Sequence, residues 1–568
     1  MKKNFLVVAS LAIIMMMGIH ASTSACTNFL ITKGASADGS TMITYSADSH
    51  VLYGELYFWP AADYPDGAML DVVEWDTGKP MGKIPQISHT FSVVGNINEN
   101  QVAIGETTYG GREELATQSG AIMDYGSLMY IALQRASSAR EAIRIIADLM
   151  DTYGYASSGE SFSISDKDEV WIMEMIGKGE GQKGAVWVAL LVPDGYICGH
   201  ANQARITTFP YQKENQWDNM SMTCYNAPDV ISFAREKGWY EGSDSDFSFS
   251  DTYAPVGFGG ARFCEARVYA MFNRVNPNMG QYEAYARGEI EHGDNGYASN
   301  RMPLWIKPDH KVTVKEVMDL MRDHYENTSM DMTNDFGAGP FQAPYRWRPM
   351  TWQVDSVGYC NERATSTQQS GFVFVAQARN WLPDPIGGIL WFSVDDTYTN
   401  CYVPMYCGIL QIPEPYAVGN GDMLTYSPTS AFWTFTFVSN WAYTKYNYMI
   451  KDIQKVQSRL ENFFINATPG VDREALALYD ESPMAAREYL TDYSTAMGNY
   501  TVDTWRDLGQ YLLVKYHDGN VKKEKDGTFE RNEWGVPAFP DQPGYPEWWM
   551  KKIADDHGDN VKVIGSAH

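Results

Sequence analysis

The spacing of apolar residues changes several times along the chain, and each change predicts an element. Lys2 and Lys3 precede an apolar run from Phe5 to Ile19, which ends in the small-residue tail Ala21-Ser-Thr-Ser-Ala25. This is the layout of a secretory leader over residues 1–25, too short to read as a membrane span. No second stretch of about 20 uninterrupted apolar residues follows, so the mature chain is expected to be soluble. From residue 27 the pattern is one of short β-rich runs. Thr27 to Thr32 and Thr41 to Ser46 flank Gly34-Ala-Ser-Ala-Asp38-Gly39-Ser40 and predict a hairpin. Strands are expected near 91–97 and 101–106. Leu128 to Arg135 is helical, and Ser138-Ala-Arg-Glu141 has the spacing of a capping box for a helix with apolar positions at 142, 145, 146, 149 and 150. Strands return at 161–165, 170–175 and 186–192. Pro193-Asp194-Gly195 predicts a hairpin turn into Tyr196 to His200. Later strands are expected at 372–378 and 389–394, and residues 428–516 read as mostly helical.

Strands, then helices, then strands, without βαβ alternation, predict an α+β chain of antiparallel sheets covered by helices. A change of pattern near 415 divides the chain into 1–25, a core over 26–415, and a helical extension over 416–568 packed on that core.

Composition narrows the function classes. The 568 residues are 44% hydrophobic and 20% charged, a globular balance. Seventy acidic against 44 basic residues give a net charge of −26. With no long Lys/Arg-rich stretch, phosphate neutralisation and therefore nucleic-acid binding are disfavoured, as is adsorption to an anionic membrane. No CxxC pair and no compact His cluster suggests zinc, and no cofactor is implied. Oligomeric state is left open, a homo-oligomer included.

Seven cysteines make an odd number: Cys26, Cys198, Cys224, Cys264, Cys360, Cys401 and Cys407. In an exported protein one left over suggests a reactive thiol, and the other six either pair or stay as buried thiols. Cys26 directly follows the leader tail. A lipoprotein also carries a cysteine at this point, but with an aliphatic residue three positions earlier, where this chain has Thr23. Cutting after Ala25 instead leaves a mature chain whose first residue carries both a thiol and a free α-amine.

That pair is chemically sufficient for acyl transfer. A thiol with pKa near 8.5 is mostly protonated at neutral pH and needs a base. An α-amine, with a pKa of about 7.7 to 8.0, lies a few bonds from its own sulfur and can take the proton. An oxyanion donor and an acceptor for the amine complete the requirement.

Cys26-Thr-Asn-Phe-Leu-Ile, Ala37-Asp-Gly-Ser-Thr-Met-Ile43 and Asp48 together resemble the opening of the N-terminal-nucleophile (Ntn) cysteine dipeptidases, relatives of the penicillin and bile-salt amide hydrolases. Leu133 to Ala142, Glu169-Val-Trp-Ile-Met-Glu174 and Ala201-Asn-Gln-Ala-Arg-Ile206 fit the same family, and the likeness runs with gaps from 26 to about 465. The resemblance implies a four-layer αββα sandwich with the nucleophile heading a central strand. It also implies roles. Cys26 is the nucleophile. Asp48 is the acid that accepts from the α-ammonium; a turn-forming Asp is the plainer reading. Asn202 is an oxyanion donor, or else a turn residue. Arg262, in Gly-Gly-Ala-Arg-Phe, places a charge near the nucleophile, or else forms a surface ion pair. Relatives carry an Arg-Asn pair before the acid where this chain has Tyr45-Ser46, so Tyr45 removes a charge that Arg262 or Arg205 would have to supply. Glu106, beside Thr107 after a strand, is placed to meet a substrate ammonium, unless it is a solvated loop residue.

Three readings follow: an exported cysteine dipeptidase, periplasmic or extracellular, acting on short peptides; an N-acyl amide hydrolase of the same fold; and a non-catalytic lipoprotein anchored at Cys26.

Overall fold

A computed structural model describes residues 26–565; the leader at 1–25 lies outside the described residues. Two large antiparallel sheets and helices make this an α+β protein. The first sheet has seven strands, in the spatial order Trp305–Ile306, Ile197–His200, Asn28–Ile31, Thr41–Asp48, Ser370–Ala378, Ile389–Val394 and Val403–Tyr406. The second has eight, ordered Cys224–Asn226, Ala185–Leu191, Val170–Gly177, Gly159–Ser165, Ala103–Tyr109, Ile97–Asn98, Val93–Val94 and Phe58–Trp59. The strands flanking Gly159–Ser165 and that strand itself are buried along nearly their whole length, which requires cover on both faces.

The expected hairpin opens the first sheet, with Leu30 opposite Ile43 and a bridge between Thr27 and Ser46 that carries the pairing up to Cys26. Its turn is held locally: Asp38 Oδ1 accepts from the hydroxyls of Ser36 (2.7 Å) and Ser40 (2.6 Å) and from Ser40 N (3.0 Å). Gly39 takes the left-handed φ of 83° that the turn needs. The helices Tyr125–Arg135 and Ala139–Tyr153 pack against the second sheet. Ser138 caps the latter by accepting from Glu141 N at 3.2 Å, while the Glu141 carboxylate reaches Ser137 N at 2.8 Å, one residue short of the capping-box partner.

One turn differs from expectation. Pro193-Asp194-Gly195 does not close a hairpin, because Ala185–Leu191 belongs to the second sheet and Ile197–His200 to the first, where it pairs with Asn28–Ile31. The local sequence specifies a reversal, but strand pairing is decided by which edge the next strand meets. The strand expected near 91–97 is broken into the short pieces Val93–Val94 and Ile97–Asn98.

The helices Ala431–Ala442, Tyr446–Glu481 and Pro483–Tyr516 pack on the Ile389–Tyr406 edge of the first sheet. Buried ion pairs join the 446–481 helix to the core: Arg322–Glu461, and Arg379–Asp472 at 2.5 Å. All seven cysteines are free thiols.

The sheets meet closely beside Cys26. A Cβ on Gly105 would stand 3.1 to 3.2 Å from the Asn28 side chain, Thr44 O and the Tyr45 Cβ. His200 bridges the sheets there, its Nδ1 bonded to Thr107 Oγ1 and its Nε2 to Ser163 Oγ, each at 2.7 Å. Burial depresses its pKa to about 3, so it is a neutral structural imidazole.

Candidate active site

Cys26 heads the Asn28–Ile31 strand and is 2% exposed. Its Sγ lies 3.5 Å from Glu106 Oε1 and 3.8 Å from the Tyr45 hydroxyl, which itself donates to the same Glu106 oxygen. Its nitrogen donates to Asn202 Oδ1 at 3.0 Å. Arg267, from the helix Ala266–Val275, holds the other side of the residue. Its Nη1 donates to Cys26 O (2.5 Å) and Thr27 Oγ1 (2.8 Å), and its Nη2 donates to Asn202 Oδ1 (2.8 Å).

These contacts fix the role of Asn202. Its φ of 57° is one that asparagine tolerates, and its Nδ2 donates to Thr108 O at 2.6 Å. Exchanging the amide oxygen and nitrogen would set NH₂ against the Arg267 guanidinium and oxygen against a carbonyl. Asn202 is therefore placed as an acceptor for the Cys26 nitrogen, with an amide N–H committed to Thr108 O. Asp48 does not take that place. Its carboxylate is bound by Ser46 Oγ (2.5 Å), Ser370 Oγ (2.6 Å) and Arg363 Nη2 (2.5 Å).

Burial first, then the Glu106 and Asp48 carboxylates, push the Cys26 thiol well above its ordinary pKa; the Asp48 backbone and the Tyr45 hydroxyl pull weakly the other way. The resting sulfur is thus a thiol that needs a base at the moment of attack. Burial also raises Glu106, and it raises Glu160 strongly, with the Glu106 charge adding to it. The two acids lie on adjacent strands, where Glu160 stands opposite Thr108. The two carboxyls therefore titrate as a pair, with burial favouring a shared proton over two charges beside the sulfur. Tyr45, pushed up by burial and by its anionic neighbours, keeps its proton and is a donor.

A cavity of about 650 Å³ opens on the sulfur. Tyr57, Trp75, Tyr130 and Phe372 supply aromatic lining, and Glu106, Asp76, Asp48, Ser49 and His50 supply polar lining. Among the described residues no group of three or more acids, histidines and cysteines is arranged to hold a metal ion.

Cys26, Tyr45, Asp48 and Glu106 are brought together on this cavity, with Asn202 on the Cys26 nitrogen. Arg262, Arg205 and Thr107 are not. Arg262 sits on an irregular helical turn and is ion-paired with Glu362, its Nε 2.8 Å from the carboxylate. Arg205 is buried against Glu265 at 2.8 Å and donates to the carbonyls of Gly199, Pro303 and Leu304. Thr107 points to His200, on the opposite face of its strand from Glu106 and Thr108. The charge expected from Arg262 comes from Arg267, five residues on, which the sequence reading missed. A helical register counted from Gly259-Gly260 could not reveal it, because the turn Gly260–Glu265 is wider than an α-helix. Glu160 was also missed, and its only signal was a charge inside an otherwise buried strand pattern.

The model of peptidase family C69 matches residues 54–459. A probable dipeptidase of Salmonella dublin is 25% identical over 406 residues, covering 68% of this chain and 81% of the relative. A probable dipeptidase B of Lactococcus lactis subsp. lactis (strain IL1403) is 23% identical over 427 residues, covering 72% and 79%. Dipeptidase A of Lactobacillus helveticus is 21% identical over 411 residues, covering 69% and 77%.

Proposed function

The chain belongs to peptidase family C69 and is a cysteine-type dipeptidase, and we propose that it is an exported one whose nucleophile is Cys26, freed as the N-terminal residue when the leader 1–25 is removed. The arrangement of sheets and helices is in this reading an Ntn-hydrolase sandwich over 26–415, with 416–568 as a helical extension. The observation that carries the proposal is the pair of contacts on Cys26, a cavity-facing sulfur and a nitrogen fixed by Asn202.

The α-amine, held by Asn202, takes the thiol proton as Sγ adds to the carbonyl of the first residue. As the substrate ammonium takes up Glu106, the Tyr45 hydroxyl, which donates to Glu106 at rest, turns to the oxygen that becomes negative. Collapse of the tetrahedral intermediate breaks the C–N bond, and the Cys26 ammonium returns its proton to the departing amine. Water then attacks the thioester with the amine again as base, releasing the first residue as a carboxylate and restoring the thiol. Glu106, backed by Glu160 and near Asp76, meets the substrate ammonium, since a buried ammonium needs a carboxylate partner.

The lipoprotein reading is disfavoured because a lipid on Sγ would have to displace Glu106 and Tyr45 from a buried residue. The aromatic wall keeps the N-acyl amide reading as a specific competitor. Acetylating the amine of a dipeptide should lower kcat/KM by about 10- to 100-fold, the worth of one charge-assisted contact. Glu106→Gln should weaken free dipeptides more than acetylated ones. If acetylated peptides or N-acyl amides are the better substrates, the competitor replaces the dipeptidase reading.

A further inference from the structure

A free dipeptide presents two charges within about 7 Å of each other, two residues at about 3.5 Å each. Both must be met in one cavity. Glu106 and Asp76 supply the negative end; the positive end is identified by following each arginine to its partner. Arg205 is matched by Glu265 and Arg262 by Glu362. Arg363 is bound to Asp48 at 2.5 Å. Arg267 is occupied by Cys26 O, Thr27 and Asn202.

Arg348 is different. It is half-buried, yet among the described residues no carboxylate lies within ion-pair distance of it. Its Nη2 donates to the neutral side-chain oxygen of Gln369, and its Nε is buried with no acceptor. The backbone carbonyl of Gln369 in turn accepts from Ser49 N at 3.0 Å, and Ser49 and His50 line the catalytic cavity on the side of Asp48. Arg348 itself lines not the catalytic cavity but a small polar pocket shared with Arg363 and Glu362. That pocket adjoins the cavity where Arg363 binds Asp48 and where Gln369 meets Ser49, and the guanidinium has donor capacity left over.

We propose that Arg348 is the specificity-determining residue that receives the α-carboxylate of the dipeptide, so that the cavity selects a zwitterion with the scissile carbonyl at Cys26 between its two charges. This rests on the dipeptidase reading and extends it to the leaving residue. The field at that end agrees. Burial, Arg348 and Arg363 together depress the His50 pKa, and Arg348, lowered to about 10 chiefly by burial and the Arg363 charge against the opposing pull of Asp48, still carries its proton at neutral pH. An incoming carboxylate gives this cation an ion-pair partner of its own, which a C-terminal amide does not. Longer peptides are disfavoured because their second residue has no carboxylate to offer.

The test compares one unprotected dipeptide with its C-terminal amide, on the wild type, Arg348→Gln and Arg348→Lys. The wild type should prefer the acid by about 10- to 100-fold in kcat/KM, mostly through KM. Arg348→Gln should lose that preference, the acid falling about 10- to 100-fold further than the amide, and Arg348→Lys should recover part of it. Binding of the same two ligands to Cys26→Ala by calorimetry, with and without Arg348→Gln, reads the preference without turnover. The proposal is overturned if Arg348→Gln weakens acid and amide equally, or leaves the wild-type ratio intact. If the wild type cleaves N-acyl amides and neither dipeptide form, the dipeptidase reading fails first and takes this assignment with it.

Discussion

Asn202 has one amide and three neighbours, and the arithmetic of its donors and acceptors decides what it does. Its oxygen serves the Cys26 nitrogen and Arg267, and its NH₂ serves Thr108 O. Asn202→Ala should lower kcat by about 10²-fold, within the usual range for disabling general acid–base catalysis. Asn202→Asp keeps an oxygen for both partners but sets its second oxygen against Thr108 O, so it should recover only part of that loss. An oxyanion donor would behave otherwise, with Asp no better than Ala. At this scale the sequence was legible wherever a side chain acts through its own chemistry. Cys26, Glu106 and Tyr45 were singled out as a thiol after a leader, an acid after a strand, and an aromatic in place of an arginine. It was illegible where pairing decides: Arg205 and Arg262 looked as available as Arg267 and Arg348, because an arginine's availability is a property of the acid that folding brings beside it.

The strand Thr41–Asp48 carries Tyr45 and Asp48 to the same cavity, and its end is fixed by the Asp48–Arg363 pair, 0% and 4% exposed. A buried pair of this kind contributes little net stability when intact, but removing one partner strands the other charge. Arg363→Gln should therefore destabilise the protein by about 3 to 5 kcal/mol, measured by denaturant unfolding. Adding Asp48→Asn should restore part of the loss, since the second change removes the stranded charge. An unchanged unfolding midpoint in the single variant would show that Asp48 has other compensation. Elements with strong local signals were read correctly: the first hairpin from its Asp-Gly-Ser turn, the 139–153 helix from its capping serine. The Pro-Asp-Gly turn misled because its reversal is local while the sheet it feeds is not. The wide turn at Gly260–Glu265, which moves Arg267 onto Cys26, has no period that a helical reading can detect.

Across the whole molecule, burial of acids ties stability to pH. Asp395 sits where the Ser370–Ala378 strand meets the 431–442 helix: its N–H donates to Gly371 O (2.9 Å), and its carboxylate accepts from the hydroxyls of Thr436 (3.1 Å) and Ser439 (2.6 Å). Burial, then the neighbouring Asp396, raise its pKa to about 7. A raised acid holds its proton in the folded state after the unfolded chain has lost it, so its stabilisation is complete below about pH 4 and is lost as pH rises through about 7. Asp395→Asn removes that titration. Its unfolding midpoint in urea should exceed the wild type's by more at pH 8 than at pH 5.5; an equal difference at both would contradict the assignment. Comparing the two proteins cancels the growing self-repulsion expected of a chain with net charge −26.

The central claim is that one residue supplies both nucleophile and base, and this requires the Cys26 nitrogen to be an amine rather than a peptide amide. The most direct measurement compares a chain that begins at Cys26 with one that keeps Ala25, both assayed on the same unprotected dipeptide after intact mass confirms each N-terminus. The account predicts turnover by the first and a loss of at least about 10³-fold in the second, because the base is absent and the added residue occupies the space of the substrate. Equal turnover by the two chains would contradict it.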